Sequence, residues 1–251
     1  MNVPKDIINI TDLPPVPNIC NQTLREVIAM QSVSLAHIIM ASGNSSLLHS
    51  HEKMHEVYYI LEGHGILYSG TDAVRVNKDS YLIIPSGNAH KLHNNSSMPL
   101  EHLVLASPPF DPSDIKLINE NSFRMQYSEP KLQKSLRKWV YAEDGALVCA
   151  FFSEKERKQL GYGLASGLLP KGRTANQHHH DISEEVYYVL SGDGIIYLKT
   201  SEHESEHEIG PGSVIHIPKS VVHGLENVGD KELRVLCVSD PPYSDGDFIR
   251  E

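Results

Sequence analysis

Two stretches of this chain repeat one pattern of histidine and glutamate. Gly43–Gly65 reads GNSSLLHSHEKMHEVYYILEGHG and Gly172–Gly194 reads GRTANQHHHDISEEVYYVLSGDG, with no gap and a constant offset of 129 positions. Both contain a His-x-His pair and a glutamate five residues after it, at His49, His51, Glu56 and at His178, His180, Glu185. Residues two apart on a β-strand project from the same face, so each pair directs two imidazoles into one cavity.

A third histidine follows each copy, His90 in the first and His223 in the second, at an offset of 133 positions. Four residues are therefore inserted in the second copy, and we place them in the polar stretch 200–208, interpreted as a hairpin loop. Three imidazoles and one carboxylate suit Fe, Mn, Ni, Co, Cu or Zn, whereas calcium prefers oxygen ligands. The sequence predicts one divalent transition metal ion in each copy and leaves its identity open.

The residues resemble the two motifs of the cupin superfamily, Gly-x5-His-x-His-x4-Glu-x6-Gly and Gly-x5-Pro-x-Gly-x2-His-x3-Asn. Asp79 and Ser220 depart from the second motif, each at a position where the family has glycine. Neither is a ligand, so the departures concern turn geometry alone. The resemblance implies an all-β chain of two tandem double-stranded β-helix (jelly-roll) barrels, each with a complete set of three histidines and one glutamate.

The length of the chain and its frequent glycines and prolines agree with two domains. The 251 residues suffice for two units that each close a core. Short β-branched runs with frequent Gly and Pro favour an all-β sandwich or barrel. A Ser-x-x-Glu start predicts one short capped helix or turn at 153–160. The expected division is an N-terminal arm (1–25), a first barrel (26–108), a connector (109–138), a second barrel (139–240) and a C-terminal tail (241–251).

Composition restricts the partners. A net charge of -10 argues against nucleic acid. The chain has no apolar run long enough for a membrane span and its start lacks the apolar core of a signal peptide. Three widely spaced cysteines read as buried or free thiols. We therefore expect a cytoplasmic protein with a small-molecule substrate; a homodimer is possible.

Three residues are candidates for catalysis. Tyr58 and Tyr187 lie two positions beyond the predicted ligand glutamates, so each should face the same cavity and offer a phenol to substrate; plugging the barrel is the equally weighted alternative. Arg173 precedes His178 and would grip a carboxylate, although a solvated surface arginine is the commoner case. Because the first copy has Asn44 at that place, the second barrel is the expected site of chemistry.

The expected function is that of a metal-dependent enzyme. Four protein ligands leave two positions of a six-coordinate metal for substrate or dioxygen. A non-haem dioxygenase acting on a small polar molecule is the first expectation. The alternatives are an isomerase, lyase, decarboxylase or aminohydrolase, and a non-catalytic module that binds a sugar or a small acid. The resemblance leaves these open because cupins carry many chemistries.

Overall fold

The computed structural model describes residues 7–20, 22–120, 131–132 and 138–251. The chain divides into two compact units, Leu13–Leu136 and Met1–Asp12 together with Arg137–Glu251. In the first half, the strands in chain order are β1 (Ile8–Asn9), β2 (Thr23–Ala29), β3 (Ser34–Met40), β4 (His49–His51), β5 (His55–Glu62), β6 (His64–Ser69), β7 (Asp72–Asn77), β8 (Tyr81–Ile84), β9 (His90–His93), β10 (Leu100–Ser107), β11 (Ile115–Leu117) and β12 (Lys131–Leu132). Those of the second half are β13 (Val140–Tyr141), β14 (Leu147–Ala150), β15 (Gly163–Leu169), β16 (Thr174–His179), β17 (Glu184–Ser191), β18 (Gly194–Lys199), β19 (Glu204–Ile209), β20 (Ser213–Ile217), β21 (Val222–Asn227), β22 (Leu233–Asp240) and β23 (Ile249–Arg250).

The first barrel is built from two sheets of the unit Leu13–Leu136. Their strand orders are β2-β3-β10-β5-β8 and β11-β4-β9-β6-β7-β12. The pairs are antiparallel apart from β12 with β7. Alternate side chains face inward, as the period of two along a strand requires, and Tyr58, Ile60, Leu67 and Leu92 belong to the buried core.

The second barrel repeats this topology. Its sheets run β1-β20-β17-β22-β15-β14-β13 and β19-β18-β21-β16-β23. Without the end strands β1 and β13 of the second barrel and β12 of the first, the strand orders of the two barrels match strand for strand. The inward residues Tyr187, Val189, Ile196 and Leu225 form the corresponding core. The all-β prediction of two tandem double-stranded β-helix barrels is therefore confirmed.

Each barrel ends in a short strand that lies beside its ligand strand. β11 pairs with β4, and β23 pairs with β16. Both short strands follow the proline-rich segments at which the sequence-derived divisions place the connector and the tail. At the other end of the chain, β1 pairs with β20 of the second barrel. The domain boundaries drawn from sequence stay a proposal.

Two local predictions have different outcomes. The short helix is confirmed as α1 (Glu154–Leu160), with Ser153 and Glu156 forming a reciprocal capping box. The loop interpretation of 200–208 is wrong for most of its length, because Glu204–Ile209 is a strand paired with β18 and residues 200–203 alone make the turn. This strand ends its sheet, where alternating charged side chains face solvent and discourage pairing with other chains.

The two departures from the glycine pattern adopt the backbone shape that glycine favours. Asp79 has φ 66° and Ser220 has φ 61°, while the equivalent positions of the other barrel, Gly212 and Gly87, have φ 85° and 82°. A left-handed conformation is therefore built into these turns in both barrels. In each barrel, one of the two turns is made by a residue for which that conformation is costly.

The described residues contain no helix that is long and apolar enough to cross a membrane. Cys20, Cys149 and Cys237 are not joined in disulfides.

Candidate metal centres

The first group of predicted ligands converges inside the first barrel. His49 and His51 lie on β4, Glu56 on β5 and His90 on β9, and His49 is paired directly with His90 across the sheet. One ligand atom from each of the four lies within 4.8 Å of the others. All four residues are buried. Four residues spread over more than 40 positions of sequence thus meet because the two sheets of the barrel fold over one another.

Four of the histidines share one local arrangement, in which ring Nδ1 donates to the backbone carbonyl two residues earlier. The donor–acceptor pairs are His49 to Leu47 at 2.8 Å, His90 to Asn88 at 3.0 Å, His178 to Asn176 at 2.9 Å and His223 to Val221 at 3.0 Å. A carbonyl accepts only, so Nδ1 carries the proton and a neutral ring has its lone pair on Nε2. Such carbonyl bonds orient histidines for a cation.

The contact between Glu56 and His90 tests whether a metal ion fits. His90 Nε2 and Glu56 Oε2 lie 2.8 Å apart, yet both atoms are buried without an aligned hydrogen-bond partner among the described residues. Two lone pairs this close repel one another unless a positive charge lies beside both. The donor set of imidazole nitrogens and a carboxylate suits a divalent transition metal. The first group therefore fits such an ion.

The electrostatics keep this group in the state that binds metal. Burial lowers the pKa of His49 to about 4, so its imidazole is neutral at neutral pH. Burial alone would raise the pKa of Glu56, but the imidazoles of His51 and His90 lower it well below its usual range. A neutral nitrogen ligand and an ionised carboxylate are the forms that coordinate a cation.

The second group repeats the first with one difference. The ligand nitrogens of His178, His180 and His223 lie within 4.8 Å of one another. Glu185 Oε2 is 3.4 Å from Nε2 of His223 and 3.7 Å from Nε2 of His180, so the carboxylate stands beside this trio. The thiol of Cys237 donates to the other oxygen of Glu185 at 3.3 Å. A sulfur donor thus holds one carboxylate oxygen in the second barrel only, since the equivalent residue of the first barrel is a valine.

An aspartate outside the predicted site organises each ligand loop. Asp114 accepts hydrogen bonds from the backbone N–H groups of Glu52, Lys53 and Met54, between the His-x-His pair and the glutamate. Asp247 accepts likewise from Ile182 and Ser183.

These two aspartates were missed in the sequence, although they too are 133 positions apart. The sequence pattern that could have revealed them is a Pro-Pro-aromatic segment that precedes each aspartate. It follows Ser107 in the first half and Asp240 in the second.

Each group opens into a cavity lined mainly by apolar side chains. The cavity of the first barrel has a volume of about 670 Å³ and that of the second about 400 Å³. Tyr58 lines the first cavity and Tyr187 the second, with ring centroids 6.1 Å from His90 and 5.9 Å from His223. Burial, together with the charge of the nearby ligand glutamate, raises the pKa of both phenols well above the ordinary value, so both stay protonated.

Arg173 is not brought to the cavity. Its side chain is exposed, and it does not line the second cavity. The cation that does is Arg157 of α1, whose Nη1 donates to the Tyr243 carbonyl at 3.3 Å while its Nε is buried without a partner. The sequence prediction missed Arg157 because it belongs to the helix that precedes the repeated strands.

Asp144 also lines the second cavity and was not predicted. Burial raises its pKa, although a hydrogen bond from the Ala146 N–H at 2.9 Å opposes the change. Asp144 therefore holds its proton more firmly than an exposed aspartate does. A cavity carboxyl of this kind is suited to proton transfer.

Comparisons with known proteins agree with this architecture. The chain matches an uncharacterized protein of Methanocaldococcus jannaschii with 34% identity over 105 residues, which are 42% of this chain and 81% of that protein. It matches the glucose-6-phosphate isomerase of Thermococcus litoralis with 29% identity over 115 residues, 42% of this chain and 60% of that enzyme. The oxalate decarboxylase of Lactobacillus farciminis, solved with formate, superposes with a TM-score of 0.73 over 100% of this chain and 90% of that one, at 16% identity, and so shares the fold.

The family model described as Cupin domain matches twice, at residues 36–106 and 167–239. The two matches together span more than half of the chain and enclose all eight predicted ligands. They also coincide with the two barrels that the strand order defines. The protein therefore belongs to the cupin family and carries two cupin domains in tandem.

Proposed function

We propose that this protein is a metal-dependent enzyme that isomerises or cleaves a small organic acid. The observation that carries the proposal is the second cavity, where His178, His180 and Glu185 share one apolar pocket with Arg157 and Asp144, and His223 converges with the two histidines. Histidines and glutamate are suited to hold the metal ion, arginine to anchor an anionic group, and aspartate to move a proton. Such a division of roles is that of an active site.

The metal-holding residues are proposed to be His49, His51, Glu56 and His90 in the first barrel and His178, His180, Glu185 and His223 in the second. A divalent transition metal bound there supplies Lewis-acid polarisation, and a redox-active one also supplies dioxygen chemistry. The ring Nδ1 bonds to backbone carbonyls keep the coordinating nitrogens oriented before the ion arrives.

In the second cavity, the protein groups act on the substrate from different sides. The guanidinium of Arg157 has an unpartnered buried Nε–H to offer a carboxylate or another anion. Asp144, whose pKa burial raises, gives or takes a proton at the substrate carbon or oxygen. The phenol of Tyr187 stays protonated and donates a hydrogen bond to a substrate oxygen. The apolar remainder of the wall excludes water.

The named relatives favour reactions without net oxidation. One is called a glucose-6-phosphate isomerase, and the structural relative is called an oxalate decarboxylase. Both reactions need a proton moved at a carbon beside a carbonyl or carboxylate. The presence of Asp144 and Tyr187 in one cavity supports such a step, and for this reason we place isomerisation or carbon–carbon cleavage ahead of the dioxygenase reaction expected from sequence.

Dioxygenase activity is the second candidate, and the first cavity favours it. Its described lining includes no lysine or arginine, and most of the wall is aliphatic, from residues such as Leu35, Ile38 and Val104. An apolar cavity beside a histidine-rich metal group accepts dioxygen and an apolar substrate together. The two barrels can thus differ in the chemistry they support.

The test combines elemental analysis with assays under two atmospheres. Protein loaded with Mn, Fe, Co, Ni or Zn is incubated with oxalate, with 2-oxo acids and with glucose 6-phosphate, and products are followed by NMR. Turnover without dioxygen that is lost on chelation supports the proposal. Turnover only with dioxygen supports the second candidate, and tight binding without product indicates a binding module instead.

Variants of the second cavity sharpen this test. Asp144→Asn should lower kcat by about 10²- to 10⁴-fold, the usual contribution of a general acid or base. Arg157→Gln should instead raise KM for an anionic substrate, because a charge-assisted hydrogen bond is lost. Arg173→Gln is the matched control, since this arginine is exposed and away from the cavity, and it should change neither constant. A full rate with Asp144→Asn would contradict the assignment.

A further inference from the structure

The two cavities differ in polarity at a buried position on β10 and its equivalent on β22. His102 on β10 is paired with Ile60, and Val235 on β22 is paired with Val189, so the two residues occupy equivalent places in their barrels. Both line their cavities. The first barrel therefore carries an imidazole where the second has an aliphatic side chain, although the metal groups and Tyr58 and Tyr187 are repeated.

His102 lies within the first cavity beside Tyr58. Its exposed fraction is 2%, and its ring centroid is 5.3 Å from that of Tyr58. Tyr58 in turn contacts His90 of the metal group, with centroids 6.1 Å apart. The Tyr58 ring thus contacts both His90 and His102, and a ligand that reaches from the metal group along this wall meets the imidazole.

Nδ1 of His102 is buried and has no hydrogen-bond partner among the described residues. A buried polar atom without a partner is costly and is rare in native proteins. A valine of similar buried position serves the second barrel, so the fold does not require a histidine here. The unpartnered Nδ1 is costly in the first cavity, and the valine of the second cavity carries no such cost. We expect this difference where a ligand supplies the missing hydrogen-bond partner of Nδ1.

The charge around His102 limits what that partner is. Burial, together with the charge of His37, lowers the pKa of His102 to about 3, so the imidazole is neutral at neutral pH. The charged side chains that line this cavity are Glu26 and Glu56, and its described lining includes no lysine or arginine. A phosphate or a second carboxylate would find no lysine or arginine along the described lining of this cavity. A neutral hydroxyl, carbonyl or amide meets no such penalty.

We propose that His102 is a ligand-contacting residue that gives the first barrel its own specificity. It hydrogen-bonds a neutral polar group of a bifunctional organic molecule whose chelating oxygens lie at the His49–His51–Glu56–His90 group and whose body packs against the aliphatic wall. This proposal rests on the proposed metal binding of the first group. It implies that the two barrels bind different molecules.

Two probes that differ by one hydroxyl test the proposal. Phenylpyruvate and 4-hydroxyphenylpyruvate share a chelating 2-oxo acid end and an apolar ring, and only the second has a neutral polar group at the far end. They are titrated into Co(II)-loaded full-length protein carrying His178→Ala, so that the first group alone holds cobalt. Affinity is read from the visible spectrum of cobalt and by calorimetry.

The expected result is a preference of about five- to tenfold for 4-hydroxyphenylpyruvate, the usual size of one added hydrogen bond. His102→Val, which copies the second barrel, should abolish this preference while leaving cobalt content unchanged. His102→Asn, which keeps a donor and an acceptor, should restore part of it. A purely structural histidine would not alter the ratio of the two affinities.

The failures of the two proposals are distinguishable. If the protein binds no cobalt at the first group, the proposed metal function fails and this inference fails with it. If cobalt binds but the preference is absent, or survives His102→Val, the inference alone is overturned. Cobalt binding without a response to either probe also overturns the proposed ligand class.

Discussion

His102 is the buried side chain whose protonation should be visible in protein stability. Its pKa is lowered from 6.5 to about 3, chiefly by burial. The unfolded chain therefore binds the proton more readily than the native protein, and stability must fall as pH drops from about 6.5 towards 3. At pH 5 the loss from this residue is about 2 kcal/mol.

Comparison of His102→Val with the parent protein isolates this effect. The free energy of unfolding is measured in urea at pH 7 and pH 5, with a chelator present so that metal release does not contribute. The parent protein should lose more stability between the two pH values than the variant. An equal loss in both proteins would contradict the neutral, buried state of His102.

The convergence of the proposed ligands was predictable from sequence, whereas the placement of Arg157 and Asp144 was not. His-x-His and the following glutamate lie on paired strands, where a period of two decides which side chains enter the barrel. Arg157 and Asp144 reach the second cavity from α1 and from the turn before β14, and neither has a counterpart in the repeat. Their placement follows from the packing of nonrepeated segments, for which local patterns hold no information.

The left-handed turns at Ser220 and Asp79 allow the strain in the backbone to be tested with two variants. Ser220→Gly should stabilise the protein by up to about 1 kcal/mol, because a serine in that conformation is strained and the entropy cost of glycine offsets only part of the relief. Asp79→Gly should destabilise it, because the buried phenol of Tyr59 donates to Asp79 at 2.7 Å.

Both variants are measured by urea unfolding in chelator. Stabilisation by both would mean that the Tyr59 bond contributes little. No stabilisation by Ser220→Gly would mean that the relief of strain does not exceed the loss of the bond from the Ser220 hydroxyl to Asp181 at 3.0 Å.

The aspartate beneath each ligand loop ties the loop to the segment before the last strand of its barrel. Asp247→Ala removes the acceptor for Ile182 N–H, Ser183 N–H and the Ser183 hydroxyl. The expected cost is about 2 to 4 kcal/mol, since buried donors lose their partner. Metal affinity of the second group should also fall, because His180 Nδ1 donates to the backbone carbonyl of the same residue.

Asp230→Ala is the control for this variant, since Asp230 forms an exposed ion pair with Lys171 and should matter little. Unfolding in urea and metal content by elemental analysis give the two readouts. Unchanged metal content with Asp247→Ala would show that the loop holds its ligands without the aspartate.

The two metal groups should load independently. Each of His49→Ala and His178→Ala is expected to remove about one metal ion per chain, and the double variant about two, as measured by elemental analysis after dialysis. The metal content should fall further as the pH drops below the range in which the imidazoles are neutral. If either single variant keeps the full complement, the ligand assignment of that barrel is wrong.

Turnover should depend on the second barrel more than on the first. Glu185→Gln is expected to abolish it, while Glu56→Gln lowers metal content or stability and leaves the reaction of the second cavity. The reason is that Asp144 and Arg157 line the second cavity alone. Equal losses would show that both barrels react, and a loss confined to Glu56→Gln would reverse the choice.

The pairing of β1 with β20 has a consequence for dissecting the protein. One unit is discontinuous in sequence, because Met1–Asp12 belongs with Arg137–Glu251 and the other unit, Leu13–Leu136, lies between them in the chain. No single cut yields both units intact. A cut anywhere between β1 and Arg137 separates β1 from the unit with which it pairs. A C-terminal half expressed alone would leave the edge of β20 open to pairing with other chains. During synthesis, β1 can take its place in the sheet only after β20, far later in the chain, has been made.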